Sequence, residues 1–312
     1  MLHSQGKRPV WVYYIALLFV VVFWGVSSVL YHYFYKYYSA AVLATIMTFF
    51  SSVFFWILAR KKLAGIDKKF LKVTVPICLL NALGCVLQRI GLQYTTPANY
   101  AFFEHLSCVV VPVVMFILIR KKPRRIQGIA GVCCLTGCFI LCGVSLSGDS
   151  MMGVGDALCI SAGILLGMCV AAISVYTKDM DAIAFMAIYM TTYFVMSLLL
   201  ATSLHNIRID GVPVEQAVIT WNPAMLLLVI VFGLVDIALC WLLRTDAIRH
   251  IDPVTVATMS PCSAVITGAV SVWMGIDKAT PNLLIGGSII FLSVFIPEVM
   301  EAMSSRKKVT EQ

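Results

Sequence analysis

Long charge-poor apolar stretches, separated by short basic clusters, constrain this chain more than any other feature. The runs are continuous, as in VVMFILI and LLLVIVFGLV, and do not alternate with polar residues. A helix rises ~1.5 Å per residue, so ~20 such residues cross the ~30 Å hydrocarbon core of a bilayer. Ten spans fit the chain, at residues 10–31, 39–59, 73–93, 97–119, 126–146, 155–176, 182–204, 223–243, 253–274 and 282–300. Lipid offers no partner to an exposed backbone amide, so the spans are predicted to be helices. The expected fold class is an all-α integral membrane protein of ten transmembrane helices, arranged as two inverted five-helix repeats.

Composition agrees. Hydrophobic residues make up 61% of the chain and charged residues 12%, about half the charged share of a soluble domain. The net charge of +8 does not indicate nucleic acid, because the basic residues lie between apolar runs, as in cytoplasmic loops facing anionic lipid. With the N-terminus inside, nineteen Lys and Arg fall on the cytoplasmic side and three (Lys36, Arg208, Lys278) outside, with Arg89 left in a span. This asymmetry favours ten spans over nine or eleven and puts both termini in the cytoplasm. The eleven cysteines all lie in apolar runs, without the spacing of a disulfide framework or a zinc site. They read as reduced thiols, and a cleaved leader is not expected. No cofactor is expected.

The halves look related. LQYTTPANYAFFEHLSCVVVP aligns with IRHIDPVTVATMSPCSAVITG, setting Pro97 on Pro253. IQGIAGVCCLTGCFIL aligns with NLLIGGSIIFLSVFI, pairing Gly131 with Gly287. FWGVSSVLYHYFYK lies over LLGMCVAAISVYTK, pairing Gly25 with Gly167. An odd number of spans repeated once must be inverted in the membrane, an arrangement common in secondary transporters. The division falls near the Gly/Ser-rich SLSGDSMMGVGD, giving units 1–148 and 149–312.

These motifs, with GIDKATPNLLIGGSIIF in the second half, resemble the drug/metabolite transporter superfamily, in its EamA-like ten-helix branch. The resemblance covers nearly the whole chain. It implies a carrier of small metabolites, often an exporter.

Polar residues inside the spans are the candidate site. Ionisable side chains in hydrocarbon are costly, so by default they mark function. Glu104 and Arg89 flank the short connection between the third and fourth spans and are expected to pair at the outer mouth of a cavity. A purely structural pair, or an Arg89 that snorkels to the interface, is the competing reading. His105 lies about 100° round the helix from Glu104. It is either a proton relay or, slightly favoured, a hydrogen bond to a neighbouring helix. Asn81, Cys85 and Gln88 recur at helical spacing, as do Tyr100, Glu104 and Ser107, then Trp24, Ser28 and Tyr31. Tyr189, Thr192 and Tyr193 share the seventh span, and Asp236 lies near the middle of the eighth. Asp236, Trp24 and Gln88 read as cavity residues, whereas Ser and Thr read as helix–helix contacts. Glu104 and Asp236 are the candidate protonation sites. Gly163 and Gly167 read as close packing, and YHYFYKYY as an outer aromatic belt.

Two functions are weighed. A secondary carrier would work by alternating access, probing a midplane site from either side. A membrane-embedded enzyme would use buried Glu, His and Asp, but HExxH, GxSxG and metal-site spacings are absent. Nothing suggests a channel filter or a nucleotide motif. The carrier leads, with an amino acid or related amine as first solute guess, in a bacterial inner membrane. Monomer and homodimer stay open, as do direction of transport and coupling ion.

Overall fold

The computed structural model describes residues 9–62, 66–92, 94–95, 97–120, 125–142, 153–203, 208–209, 212–213, 219–275 and 278–310. Among these, nine helices are long and apolar enough to cross a bilayer, and Pro281–Phe295 is a shorter apolar one. The protein is a ten-helix, multi-pass integral membrane protein. The division at 148/149 lies outside the described residues.

The first three spans are α1 (Val10–Phe34), α2 (Ala40–Ala59) and α3 (Lys68–Leu92). The fourth is α4 (Pro97–Glu104) followed by α5 (Ser107–Ile119), and the fifth is α6 (Arg125–Cys142). The sixth and seventh are α7 (Val154–Tyr176) and α8 (Ala182–Ser203). The eighth runs through α9 (Pro223–Gly233), a π-helical segment (Leu234–Leu239) and α10 (Cys240–His250). The ninth is α11 (Pro253–Met259) followed by α12 (Cys262–Trp273), and the tenth is α13 (Pro281–Thr310). In the long connection after α8, strand β1 (Arg208–Ile209) pairs antiparallel with β2 (Val212–Pro213). Ile219 bridges to Tyr38, and Thr220 donates to the Tyr37 carbonyl (2.8 Å), joining that connection to the end of α1.

Three boundaries differ from the sequence reading. Lys68, Lys69 and Lys72 belong to the first turns of α3, not to the preceding loop. Arg244 and Arg249 are not loop charges either, because the eighth span continues to His250. The fourth and ninth spans are each two helices, not one.

The outer surface is apolar: Ile117, Ile129, Leu227 and Leu284 are each more than 60% exposed, as lipid-facing residues must be. Inside, small residues bring backbones together. A methyl group on Gly25 would meet the Ile266 side chain at 2.6 Å, and one on Gly167 would meet Val110 at the same distance. Gly25 and Gly167 are the pair the alignment superposes, and their contacts are superposed too: Ser263 and Ile266 stand where Ser107 and Val110 do. Gly131 likewise abuts Cys108 in the fourth span, and Gly287 abuts Val265 in the ninth.

The same correspondence runs through the packing. The third span lies on the sixth, and the eighth on the first. The fourth lies on the sixth, and the ninth on the first. The third meets the seventh, and the eighth meets the second. The contacts of second with seventh and fifth with tenth are their own counterparts. The fourth and ninth spans also end alike. Arg120 (φ 56°) and Gly275 (φ 70°) are the two left-handed residues among those described, and each closes one of these spans.

Candidate functional site

Both broken spans place non-helical backbone in the bundle. At the first break, the amides of His105, Leu106, Cys108 and Val109 bond three residues back, at 3.0–3.2 Å, in a tightened turn. At the second, Ser263 and Ala264 do the same at 3.0–3.1 Å. Pro261 explains the second. It has no N–H, and its ring displaces the carbonyl four residues earlier, that of Ala257. The Cys108 thiol donates to that carbonyl at 3.1 Å, and Cys134 donates to the Thr258 carbonyl at 3.6 Å. These thiols thus satisfy backbone that the break sets free.

The eighth span is interrupted differently. Its π-helical segment widens the helix and leaves carbonyls open to other donors, a feature frequent at functional sites. Trp24 Nε1 donates to the Asp236 carbonyl at 3.4 Å, and Ser51 donates to the Gly233 carbonyl at 3.4 Å. The segment carries Asp236 into the interior, where Oδ2 accepts from Tyr31 at 2.7 Å. Oδ1 is buried without a hydrogen-bond partner, since the nearby Ser27 hydroxyl bonds the Trp24 carbonyl at 3.1 Å.

From Asp236 a polar and aromatic cluster extends across the bundle. Trp24 and Trp241 lie 5.7 Å apart, centroid to centroid, and Arg244 sits over both rings at 5.8 and 5.7 Å. Tyr189 and Tyr193 flank Trp241 at 5.6 and 6.3 Å. Tyr193 accepts from Arg89 Nη2 at 3.1 Å, while Arg89 Nη1 donates to the Ala40 carbonyl at 2.9 Å. Along α3, Asn81, Cys85 and Gln88 are all buried. Asn81 Nδ2, Gln88 Nε2 and Arg244 Nε are buried donors without hydrogen-bond partners. The site thus draws on α1, α3, α8 and the eighth span, that is, on both halves.

Some candidates fall outside this arrangement. Arg89 and Glu104 do not form the expected ion pair: both of Arg89's bonded groups face neutral oxygens, and Glu104 is exposed at the end of α4. Tyr100 lies within electrostatic reach of both charges, half-buried between them. His105 is buried at the break, on the side of Cys134, away from the aromatic cluster. The sequence reading named Arg89, Asp236, Trp24, Gln88 and Asn81; the first three take part in this cluster, and Gln88 and Asn81 are buried along α3. It missed Arg244 and Trp241. Their signal was present in the four-residue step from Asp236 through Cys240 to Arg244, which puts Arg244 on the Asp236 face.

At the ends of the spans, a second cluster fastens one end of the bundle. Asp181 caps α8, accepting from Ile183 and Ala184 at 2.9 and 3.0 Å, and meets Lys62 at 2.5 Å. Partial burial pushes the Asp181 carboxyl up, but the Lys62 ammonium and the α8 amides outweigh it and hold the carboxyl below the ordinary 3.8. Arg249, buried, donates to Thr177 at 3.0 Å and to the Met180 carbonyl at 3.4 Å, and stacks on Phe185 at 4.9 Å. His250 stacks on Tyr13 at 4.3 Å. At the other end, Thr95 donates to Asp156.

Comparison with known proteins gives one family match, over part of the chain. Residues 11–143 match the family described as the EamA-like transporter family. No curated protein matches in sequence. Among solved structures, 28 chains match in fold. One of them, titled "Crystal structure of protein", superposes with a TM-score of 0.69 at 14% identity, covering 92% of this chain and 96% of that one. At that identity the likeness is one of fold.

Proposed function

We propose that the chain is a secondary carrier of a small polar metabolite, of the drug/metabolite transporter type; the match of residues 11–143 to the EamA-like transporter family supports this reading. The observation that carries this reading is the cluster of buried Asp236, Gln88 and Asn81 with half-buried Arg244 and Arg89, drawn from both halves inside an apolar bundle. Polar groups so placed are costly unless a ligand or water meets them. The paired contacts of Gly25 and Gly167 support two five-helix units, 1–148 and 149–312, related by inversion. Such units rock about a midplane site, and broken helices line it. The fastened end formed by Lys62, Asp181, Thr177 and Arg249 would then close one face while the solute exchanges at the other.

The basic clusters support a cytoplasmic location for both termini, which suits a bacterial inner membrane and export. An amino acid or related amine remains the first solute class to try. The family match favours transport over acid–base catalysis by Asp236, Glu104 and His105. Purified protein reconstituted in vesicles tests this directly. Saturable flux of a labelled amino acid, lost in Asp236→Asn, supports a carrier. Chemical conversion of the solute without net movement would refute it.

A further inference from the structure

The two arginines of the central cluster have no ion-pair partner among the described residues. Arg89 and Arg244 bring two guanidinium groups into the interior. Among the described residues, the ion pairs are Lys62–Asp181 and His250–Asp246, both near one end of the bundle. No described carboxylate forms an ion pair with either interior arginine, although Glu104, like Arg89, lies within electrostatic reach of Cys85 and Tyr100. The Asp236 carboxylate bonds Tyr31 instead, with its backbone carbonyl turned to Trp24.

Each guanidinium keeps its charge at any physiological pH, and no ion pair among the described residues meets it directly. Arg89 spends two of its groups on neutral oxygens. Arg244 has only the faces of Trp24 and Trp241, and its Nε is buried without an acceptor. Two further donors face the same interior unmet: Asn81 Nδ2 (residue 2% exposed) and Gln88 Nε2 (9%). Cys85, between them on α3, lies within electrostatic reach of both Arg89 and Arg244, which places the two arginines about one space.

We infer that the solute is an organic anion, a carboxylate or phosphate ester with a flat body. Its oxygens bond Arg244, with Gln88 or Asn81 as a second donor, and its body lies against Trp24 and Trp241. Guanidinium is suited to this task, since its planar fork matches carboxylate and phosphate geometry while its face stacks on indole. Asn81 and Gln88 stand two helical turns apart, ~10 Å along α3, so a compact anion uses one of them and an elongated one both. The inference rests on the carrier reading and narrows it: amino acids fit through their carboxylate, and simple amines do not fit.

Charge-matched probes test it. Melting of the purified protein is followed with phenyl phosphate, benzoate and benzylamine, which share one ring and differ in charge. The two anions are expected to raise Tm saturably, and benzylamine is not. Arg244→Gln is expected to weaken the anion response by about tenfold or more, the loss of a charged hydrogen bond. Gln88→Ala and Asn81→Ala leave the guanidinium in place and keep the test open if Arg244→Gln does not fold. At least one of them is expected to weaken the anion response about threefold. Stabilisation by benzylamine alone, or an anion response unchanged in Arg244→Gln or, should that variant not fold, in both amide variants, overturns the inference. Vesicle flux separates the two levels. Anion binding without flux contradicts the carrier and leaves the anion site standing. Benzylamine flux that survives Arg244→Gln upholds the carrier and removes the anion site.

Discussion

At the scale of single residues, the interior is governed by which polar atoms find partners. Tyr31 gives Asp236 Oδ2 a donor at 2.7 Å, so Tyr31→Phe is expected to cost about 1 kcal/mol of stability, the range for interhelical bonds in membranes. A scan of Tm checks it, and a neutral result would mean water already serves the carboxylate. Cys108 donates to the carbonyl that Pro261 releases. Cys108→Ser keeps a donor and should hold Tm, whereas Cys108→Ala should lower it by about 1 kcal/mol. Asp181 makes a pH prediction. Its folded-state value lies below the ordinary 3.8, so the carboxylate favours the folded state above that value. The contribution is lost as pH falls through the depressed one. The Tm difference between the protein and Asp181→Asn should therefore be flat near neutrality and shrink on acidification below pH 4, in a melting series across pH. Residue types in the interior were legible from the sequence, because a charge or amide within an apolar run is conspicuous. Their partners were not. Glu104 and Arg89 flank one short connection, yet Arg89 bonds neutral oxygens and Glu104 is exposed. Arg244 looked like a loop charge because the apolar run fades before the helix does.

At the scale of elements, spans were legible and interruptions were not. Hydropathy counts apolar residues, and a break or a π-helical turn leaves the count unchanged. Pro261 was a readable signal for the ninth-span break. The fourth-span break carries no proline at its junction and is fixed by tertiary contacts, among them Gly163, where a methyl would meet the Phe103 carbonyl at 2.5 Å. Two substitutions test these features. Arg120 closes the fourth span in a left-handed conformation that Gly275 adopts at the matching end of the ninth. Arg120→Gly is therefore expected to stabilise the protein by about 1 kcal/mol. Gly25→Ala and Gly167→Ala each place a methyl 2.6 Å from a branched side chain. Both should lower stability by similar amounts, about 1–3 kcal/mol, as read from thermal unfolding in detergent. A large loss in one and none in the other would break the correspondence between the halves.

At the scale of the whole molecule, the repeat seen faintly in sequence has a counterpart in packing, span for span. Low identity hid it because the conserved quantity is a contact, small residue against branched side chain, and many residue pairs satisfy that. If the two units rock about the cluster, Gln88 meets water from each face in turn. A single Gln88→Cys variant, in a background with the eleven native cysteines replaced, reports this through an impermeant thiol reagent applied to either side of reconstituted vesicles. Labelling from both sides, slowed by phenyl phosphate, is the expected result. Labelling confined to one side, or none from either, would contradict alternating access to the site.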